Sequence, residues 1–258
     1  MKNFYDKYGS WAVVTGASSG IGEAFCKQLA AQKFNLVLIA RRTERLQRLA
    51  SILAAAHSIQ TKVVSVDLAS DNFLQRIIAE TEPLDVGLLV NNAGFALIGR
   101  FLDHKLEDEL RLLYVNCRAP MILAHHFGRK MAQQKRGGII NVSSAAAFMP
   151  LPFWTSYSAS KIYSLYFSEG LWFELKKNSV DVLALCPGST RTEFATVAGT
   201  SMQGMQVEPV VRLAIKNLGR KISVISGIGN AVAAMFSRVI SRKSAVIIGS
   251  KVVGGRFP

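Results

Sequence analysis

The chain alternates between short apolar runs and longer stretches with helical spacing, and this alternation restricts the fold more than any other feature. Strands that are apolar on both faces are typical of parallel sheets covered by helices on both sides. Because crossovers between parallel strands are right-handed, the pattern predicts an α/β fold with a doubly wound parallel sheet. We predict about seven strands, at Trp11–Thr15, Asn35–Ala40, Lys62–Val66, Asp85–Val90, Gly138–Val142, Val180–Leu185 and Ile222–Ile225.

Helices are predicted where apolar residues recur three and four positions apart. These stretches are Glu23–Ala31, Thr43–His57, Asp71–Glu80, Leu106–Arg118, Pro120–Gln134, Thr155–Asn178 and Pro209–Leu218. No linker or repeat interrupts the pattern, so we expect one domain over residues 1–258. A Gly-, Ser- and Thr-rich segment at about 188–208 is predicted to form a substrate lid, because long irregular loops are usually functional.

The charge and the cysteines limit the classes of partner and compartment. The 31 basic and 17 acidic residues give a net charge of +14, which favours anionic partners. No basic arm with interleaved aromatic residues is present in the sequence, so we expect no nucleic acid binding. The three cysteines are far apart, the first residues lack an apolar segment, and no apolar run is long enough to span a bilayer. We therefore expect a cytoplasmic protein, and the isolated histidines predict no metal site.

A glycine-rich turn follows the first predicted strand directly. Residues Thr15–Gly22 read Gly-x-x-x-Gly-x-Gly and lead into a predicted helix. Glycines at these positions let the backbone turn tightly and approach a pyrophosphate, whose charge is stabilised at the helix N-terminus. The turn predicts a dinucleotide-binding site at the start of the chain.

The end of the second predicted strand indicates which dinucleotide is bound. An acidic residue at this position selects the ribose 2′-hydroxyl of NAD, whereas arginine suits the 2′-phosphate of NADP. Here the acid is absent, and Arg41 and Arg42 follow the strand. The sequence therefore predicts NADP(H) as the cofactor, with Arg41 the stronger candidate because it comes first after the strand.

Tyr157 and Lys161 are four residues apart in a predicted helix and therefore share one face. A nearby ammonium, together with the positive charge of an oxidised nicotinamide, would favour the phenolate and let the tyrosine exchange protons near neutral pH. Ser144, at the end of the fifth predicted strand, could hold a substrate carbonyl.

Together these motifs resemble the short-chain dehydrogenase/reductase family, which has a Rossmann fold. The resemblance runs from about Trp11 to Thr192 and includes Asn91-Asn92-Ala93-Gly94 and Pro187-Gly188. It implies a catalytic tetrad of Asn116, Ser144, Tyr157 and Lys161. It also implies cofactor contacts from Gly16, Ser18, Ser19, Gly20, Ile21, Gly22, Arg41, Arg42, Asp67, Leu68, Asn91, Ala93, Gly94, Tyr157, Lys161, Pro187, Gly188, Thr190 and Thr192.

The resemblance further implies a role for individual residues. Asp67 is expected to contact the adenine, Asn91 to stabilise the sheet near the cofactor, and Thr192 to hold the nicotinamide carboxamide. Tyr157 is expected to be the proton donor, with its pKa lowered by Lys161. Asn116 is expected to hold a water that links Lys161 to solvent.

The loops expected to line the substrate site are apolar. They contribute Phe95, Leu97, Phe148, Met149, Leu151, Phe153 and Trp154. Such a wall suits an apolar carbonyl compound, and the tail loosely resembles the branch of hydroxysteroid and ketoacyl reductases. We therefore expect an NADP-dependent oxidoreductase that reduces a ketone or aldehyde, or oxidises the alcohol. The alternative is a non-catalytic NADP-binding sensor or scaffold, for which the catalytic residues would be unnecessary.

The basic C-terminal segment, residues 227–258, allows two interpretations. Ile228, Val232, Met235, Phe236, Val239 and Ile240 have helical spacing, and Arg238, Arg242 and Lys243 follow along the same helix. The stripe could pack on the sheet, or it could make a weak contact with an anionic membrane surface or an acidic carrier protein. The resemblance also implies a homodimer or tetramer built on the helices Leu106–Arg118 and Thr155–Asn178.

Overall fold

A computed structural model of the protein describes residues 4–194 and 204–254. It contains one sheet of seven parallel strands in the order β3-β2-β1-β4-β5-β6-β7. The strands are β1 Trp11–Thr15, β2 Asn35–Ala40, β3 Thr61–Ser65, β4 Val86–Asn91, β5 Gly137–Val142, β6 Val180–Cys186 and β7 Ser223–Ile225. Each bound lies within one residue of its predicted position, so the doubly wound parallel sheet is confirmed.

The helices lie between and around these strands. They are α1 Phe4–Tyr8, α2 Gly20–Ala31, α3 Thr43–His57, α4 Phe73–Thr81, α5 Leu106–Leu113, α6 Ala119–Gln134, α7 Thr155–Lys176, α8 Val207–Asn217, α9 Ile228–Phe236 and α10 Arg242–Gly254. Short 3-10 turns occupy Phe101–Asp103 and Ala145–Phe148, and a π-helical turn occupies Tyr114–Arg118.

Alternate residues of each strand bury opposite faces of the sheet. In β2, Leu36 and Leu38 pack into the core formed with α2, α3 and α8. Val37 and Ile39 point the other way, into the core formed with α4, α6 and α7. Because both faces are buried, the central strands β1, β2 and β4 are almost wholly apolar, and the polar residues of the cleft follow the ends of the strands.

Two helix predictions were wrong in detail. The stretch Leu106–Arg118 is not one regular α-helix, because a π-turn replaces its last five residues and continues into α6. The C-terminal stripe is divided between α9 and the turn that precedes α10. Part of the predicted lid, residues 195–203, lies outside the described residues, as do the last four residues of the basic segment.

The C-terminal stripe does not pack on the sheet. In α9 and the following turn, large apolar side chains are exposed to between 53% and 86%: Ile228, Val232, Met235, Phe236 and Val239. The packed interpretation is therefore wrong for these residues, although Ile240 is half-buried. Within residues 4–194 and 204–254, no helix is long and apolar enough to cross a membrane.

Candidate active site

The carboxyl ends of the strands open into a cleft of about 680 Å³. The cleft lies where the strand order reverses between β1 and β4, which is the usual ligand site of an open parallel sheet. Most of the predicted site residues line this cleft. Gly22, Asn91 and Asn116 do not line it; they lie behind the residues that do.

The glycine turn has the backbone geometry that its sequence predicts. Gly16 and Gly20 have φ angles of +66° and +57°, which residues other than glycine rarely adopt. A Cβ on Gly22 would lie 2.2 Å from the carbonyl oxygen of Gly16, so helix α2 can approach the turn only without a side chain there. The turn thus leaves an open backbone cradle before a helix N-terminus, which fits the pyrophosphate of a dinucleotide.

Thr15 and Asn92 join this turn to the end of β4. The hydroxyl of Thr15 accepts hydrogen bonds from the backbone amides of Asn92 at 2.9 Å and Ala93 at 3.0 Å. The side chain of Asn92 donates to the carbonyls of Thr15 at 2.9 Å and Gly16 at 3.3 Å. These bonds fix the two central strand ends at the topological switch point.

Arginine side chains surround the end of the cleft next to β2. Arg42 donates to the hydroxyls of Ser18 and Ser19 at 3.0 and 2.8 Å, and it pairs with Glu193. The Arg41 side chain lines the same cleft and makes no hydrogen bond or ion pair with a described residue. Asp67 uses one carboxylate oxygen to pair with Arg111 at 2.5 Å and the other to accept from the Ala69 amide.

Tyr157 and Lys161 lie one turn apart on α7, and both line the cleft. The Lys161 ammonium lies 5.6 Å from the centroid of the Tyr157 ring and donates to the carbonyl of Val142 at 3.0 Å. Ser144 is the N-cap of the 3-10 turn after β5, where its hydroxyl accepts from the Ala146 amide at 3.1 Å. The tyrosine, lysine and serine that were predicted from spacing are therefore brought together in one site.

The pKa values of these groups move in directions that burial sets. Burial raises the pKa of Tyr157 to about 12, although its hydrogen bond with Ser144 acts in the opposite direction. Burial lowers the pKa of Lys161 to about 8. The structure does not give Tyr157 the lowered pKa that was expected from Lys161, because the loss of hydration dominates.

Asn116 occupies the π-turn between α5 and α6. Its amide donates to the Phe95 carbonyl and the Ser160 hydroxyl, both at 3.0 Å, and its oxygen accepts from the Phe95 amide at 3.1 Å. The π-turn thus directs Asn116 toward the loop after β4 and the helix that carries Tyr157. Asn91 joins two neighbouring strands, because its side-chain amide at the end of β4 donates to the side-chain oxygen of Asn141 in β5 at 2.8 Å.

Apolar side chains also line the cleft. Of the residues predicted there, Leu97 and Phe153 do not line the cleft, and Leu97 packs against the buried cluster that includes Ala96 and Leu112. The other five line it: Phe95, Phe148, Met149, Leu151 and Trp154. Sequence reasoning missed the contribution of the C-terminal helices, which is made by Asn230, Ala233, Ala234, Ser237 and Val253. The small residues of α9 alternate with its apolar stripe, and this spacing was the available signal.

The two cysteines nearest the catalytic residues are poorly suited to act as nucleophiles. Burial raises the pKa of Cys186 to about 12 and that of Cys117 to about 11, so both are thiols near neutral pH. Among the described residues, no three His, Cys, Asp or Glu side chains come together in a way that could hold a metal ion.

Comparison with known sequences agrees with this geometry. The sequence profile of the short chain dehydrogenases matches residues 10–203. A 7beta-hydroxysteroid dehydrogenase of Mediterraneibacter gnavus is 34% identical over 231 residues, covering 86% of this chain and 88% of the relative. A very-long-chain 3-oxoacyl-CoA reductase of Anas platyrhynchos is also 34% identical, over 82% of this chain and 69% of the relative.

Solved structures give the same result. One, described as giving insights into 7beta-hydroxysteroid dehydrogenase stereoselectivity, has a TM-score of 0.90 and 29% identity, and the match covers 96% of this chain and 99% of that one. A short-chain dehydrogenase from Sphingobium yanoikuyae in complex with NADPH has a TM-score of 0.81 and 29% identity, over 91% and 97% of the two chains. With its profile match, its relatives and its Rossmann-type sheet, the chain belongs to the short-chain dehydrogenase family of oxidoreductases.

Proposed function

We propose that the protein is an NADP(H)-dependent oxidoreductase that interconverts a ketone and a secondary alcohol on a bulky apolar substrate. The observation that carries this proposal is the position of Tyr157. Its hydroxyl is hydrogen-bonded with Ser144, its ring lies 5.6 Å from the Lys161 ammonium, and it lines the same cleft as the glycine turn and a set of apolar side chains. A sensor of the cofactor would need the glycine turn but not this combination of proton donor and apolar wall.

NADPH would supply the hydride and the protein the proton, the orientation and the polar environment. Gly16, Gly20 and Gly22 would admit the pyrophosphate, and Lys161 would bind the nicotinamide ribose. Ser144 and Tyr157 would donate hydrogen bonds to the substrate carbonyl, on which negative charge develops during reduction. Tyr157 would then give its proton to that oxygen.

Tyr157 carries the proton that reduction requires. With a pKa raised to about 12, the hydroxyl is protonated near neutral pH and is ready to act as an acid. In alcohol oxidation the same group has to accept a proton, and the positive charge of the oxidised nicotinamide would then help to stabilise the phenolate. Asn116, which is bonded to Ser160 on the helix of Tyr157, would position the donor and a water that resupplies its proton.

The relatives narrow the class of substrate. The relatives are named for a 7beta-hydroxysteroid and for a very-long-chain 3-oxoacyl-CoA, and a steroid nucleus and a very long acyl chain are both large apolar groups. The cleft of this chain has the matching apolar wall, made by Phe148, Leu151 and Trp154. We therefore favour a steroid or a long acyl ketone over a small polar ketone.

The test is NADPH oxidation with a panel of ketones that includes steroid, long-chain acyl and small polar members. The proposal predicts turnover that rises with the apolar size of the substrate. Tight NADPH binding without turnover of any member would instead indicate a sensor or scaffold. Turnover restricted to the small polar ketones would contradict the proposed class of substrate.

The quaternary structure proposed with this function is a homodimer or tetramer. Exposed apolar side chains occur on the outer faces of α5, the π-turn and α7: Leu106, Leu113, Tyr114, Tyr166 and Phe173. Pairing of these helices between two copies would remove the side chains from water. Sedimentation of the purified protein should give at least a dimer, and Phe173→Glu should shift it toward monomer.

A second proposed contact is with an anionic membrane surface. The apolar face of α9 is exposed, and Arg238, Arg242 and Lys243 lie at its C-terminal end. These cations complement an anionic lipid surface, whereas two copies of the same patch would repel each other. Sedimentation with anionic vesicles at low salt should carry the protein into the pellet, and neutral vesicles should not. If the protein stays in the supernatant with both kinds of vesicle, or is captured only by an acidic carrier protein, the proposed membrane contact is wrong.

A further inference from the structure

Glu193 forms ion pairs with two arginines where the second strand meets the glycine turn. Its Oε2 accepts a hydrogen bond from Arg42 Nη1 at 2.8 Å, and its Oε1 accepts one from Arg45 Nη1 at 2.5 Å. The hydrogen bond from Arg42, followed by that from Arg45, lowers the pKa of the Glu193 carboxyl to about 2. The side chain is therefore a carboxylate throughout the neutral pH range.

Arg42 connects this ion pair to the phosphate-binding turn. Its Nη2 donates to the hydroxyl of Ser18 at 3.0 Å and to that of Ser19 at 2.8 Å. One guanidinium thus contacts the glycine turn with one amino group and the Glu193 carboxylate with the other. A phosphate bound at this place would use the same N–H donors as the carboxylate, because a guanidinium pairs with either anion in the same way.

We propose that Glu193 is a specificity-determining residue whose carboxylate competes with the 2′-phosphate of NADP(H) for Arg42 and Arg45. The inference rests on the proposed use of NADP(H). A phosphate monoester carries about 1.5 to 2 negative charges near neutral pH, so it displaces a carboxylate that carries one. NAD(H) has a hydroxyl at this position, has no charge with which to displace Glu193, and leaves both ion pairs intact.

The competition has a one-sided consequence for affinity. NADP(H) binding has to break two ion pairs before its phosphate reaches the arginines, whereas NAD(H) binding breaks neither. Both pairs are about half exposed, with side-chain exposures of 43% for Arg42, 52% for Arg45 and 47% for Glu193. Exposed ion pairs are individually weak, so the expected effect on NADP(H) affinity is moderate, roughly three- to tenfold for the two together.

The experiment compares dissociation constants of NADPH and NADH for the unmodified protein, Glu193→Gln and Glu44→Gln, measured by fluorescence titration at low salt. Glutamine keeps the shape of the side chain and removes its charge. Glu193→Gln should bind NADPH roughly three- to tenfold more tightly and NADH within about twofold of the unmodified protein. Glu44 is exposed and is adjacent to Arg45 in α3. Glu44→Gln removes the same charge as Glu193→Gln, so it controls for the general change in electrostatic potential around the arginines.

A third variant separates competition from a general effect. In an Arg42→Met background, Glu193→Gln should strengthen NADPH binding less than it does in the unmodified protein, because Arg45 is then the single arginine left of the two that pair with Glu193. The inference is overturned if Glu193→Gln leaves the affinity for NADPH unchanged or weakens it. It is also overturned if Glu193→Gln strengthens the binding of NADPH and of NADH equally, or if Glu44→Gln strengthens NADPH binding as much as Glu193→Gln does. Equal affinity of the unmodified protein for NADPH and NADH would instead contradict the proposed cofactor preference, which is a different result.

Discussion

The ammonium of Lys161 lies 5.6 Å from the centroid of the Tyr157 ring, with its nitrogen bonded to the carbonyl of Val142 at the end of β5. Both side chains are buried, each with 6% of its surface exposed. Both residues belong to α7, and the hydrogen bond to Val142 also ties the lysine to the end of β5, so both side chains are held in the cleft. Burial raises the pKa of Tyr157 and lowers the pKa of Lys161, so it favours the uncharged form of both groups.

Replacement of Tyr157 by phenylalanine should abolish turnover and preserve cofactor binding. The ring still packs against Trp154 and Phe194, whose centroids lie 5.5 and 5.6 Å away, and only the hydroxyl is lost. We expect the rate constant for ketone reduction to fall by at least about a hundredfold, within the range of general acid catalysis. Tyr166→Phe on the exposed side of α7 is the matched control and should leave the rate unchanged.

Loss of either arginine after β2 should weaken NADPH binding selectively. An Arg–phosphate contact is a charge-assisted hydrogen bond worth about 1.5–3 kcal/mol, or roughly ten- to a hundredfold in affinity. Arg41→Asp and Arg42→Met should therefore reduce the affinity for NADPH and leave the affinity for NADH unchanged or higher. Titration of both cofactors with both variants checks this, and an equal loss of NADPH and NADH would show that the arginines support the fold of the turn instead.

The central part of the site could be predicted from the sequence because local spacing determines it. Tyr157 and Lys161 share a helix face, and Gly16, Gly20 and Gly22 share one turn, so each group stays together wherever the element lies. The doubly wound parallel sheet was predicted from apolar strands and right-handed crossovers, although these do not determine its strand order. What could not be predicted depends on contacts between residues far apart in the sequence.

Glu193 and Asn230 illustrate this limit. Glu193 reaches Arg42 across 151 positions, and nothing in its own neighbourhood indicates an ion pair there. Asn230 closes on Gly188 so tightly that a Cβ at Gly188 would lie 1.9 Å from the amide nitrogen of Asn230. The pKa of Tyr157 is a third case, because the spacing places an ammonium nearby but does not reveal the burial that outweighs it.

Two glycine-to-alanine changes should have opposite effects on stability. Gly22→Ala places a methyl group 2.2 Å from the Gly16 carbonyl oxygen, so the turn must distort. The Gly22→Ala change should lower the melting temperature and weaken the binding of both NADPH and NADH. Gly170→Ala lies inside α7 with nothing within 4 Å of the added carbon, and alanine favours a helix by roughly 0.8–1.0 kcal/mol over glycine. It should raise the melting temperature without changing cofactor binding, which thermal unfolding and fluorescence titration would measure.

Lys161→Met should remove activity and, at neutral pH, increase stability. Burial lowers the pKa of Lys161 from 10.5 to about 8, so near pH 7 the native state carries an ammonium that would be better solvated in the unfolded chain. A shift of this size corresponds to about 3 kcal/mol. The hydrogen bond to Val142 offsets about 1 kcal/mol of it, so the variant should be more stable by about 1–3 kcal/mol.

The dependence on pH identifies the cause of that difference. Below pH 8 both states of the unmodified protein are protonated at Lys161, and the cost of burying the charge is present in full. Between about pH 8 and 10.5 the unfolded chain holds a proton that the native protein has released, so the stability of the unmodified protein rises relative to the variant. Urea unfolding of both proteins at pH 7 and pH 10 should therefore show a gap that narrows or reverses at the higher pH. A gap that is equal at both values, or a less stable variant at pH 7, would show that packing around the methionine and not the buried charge determines the change.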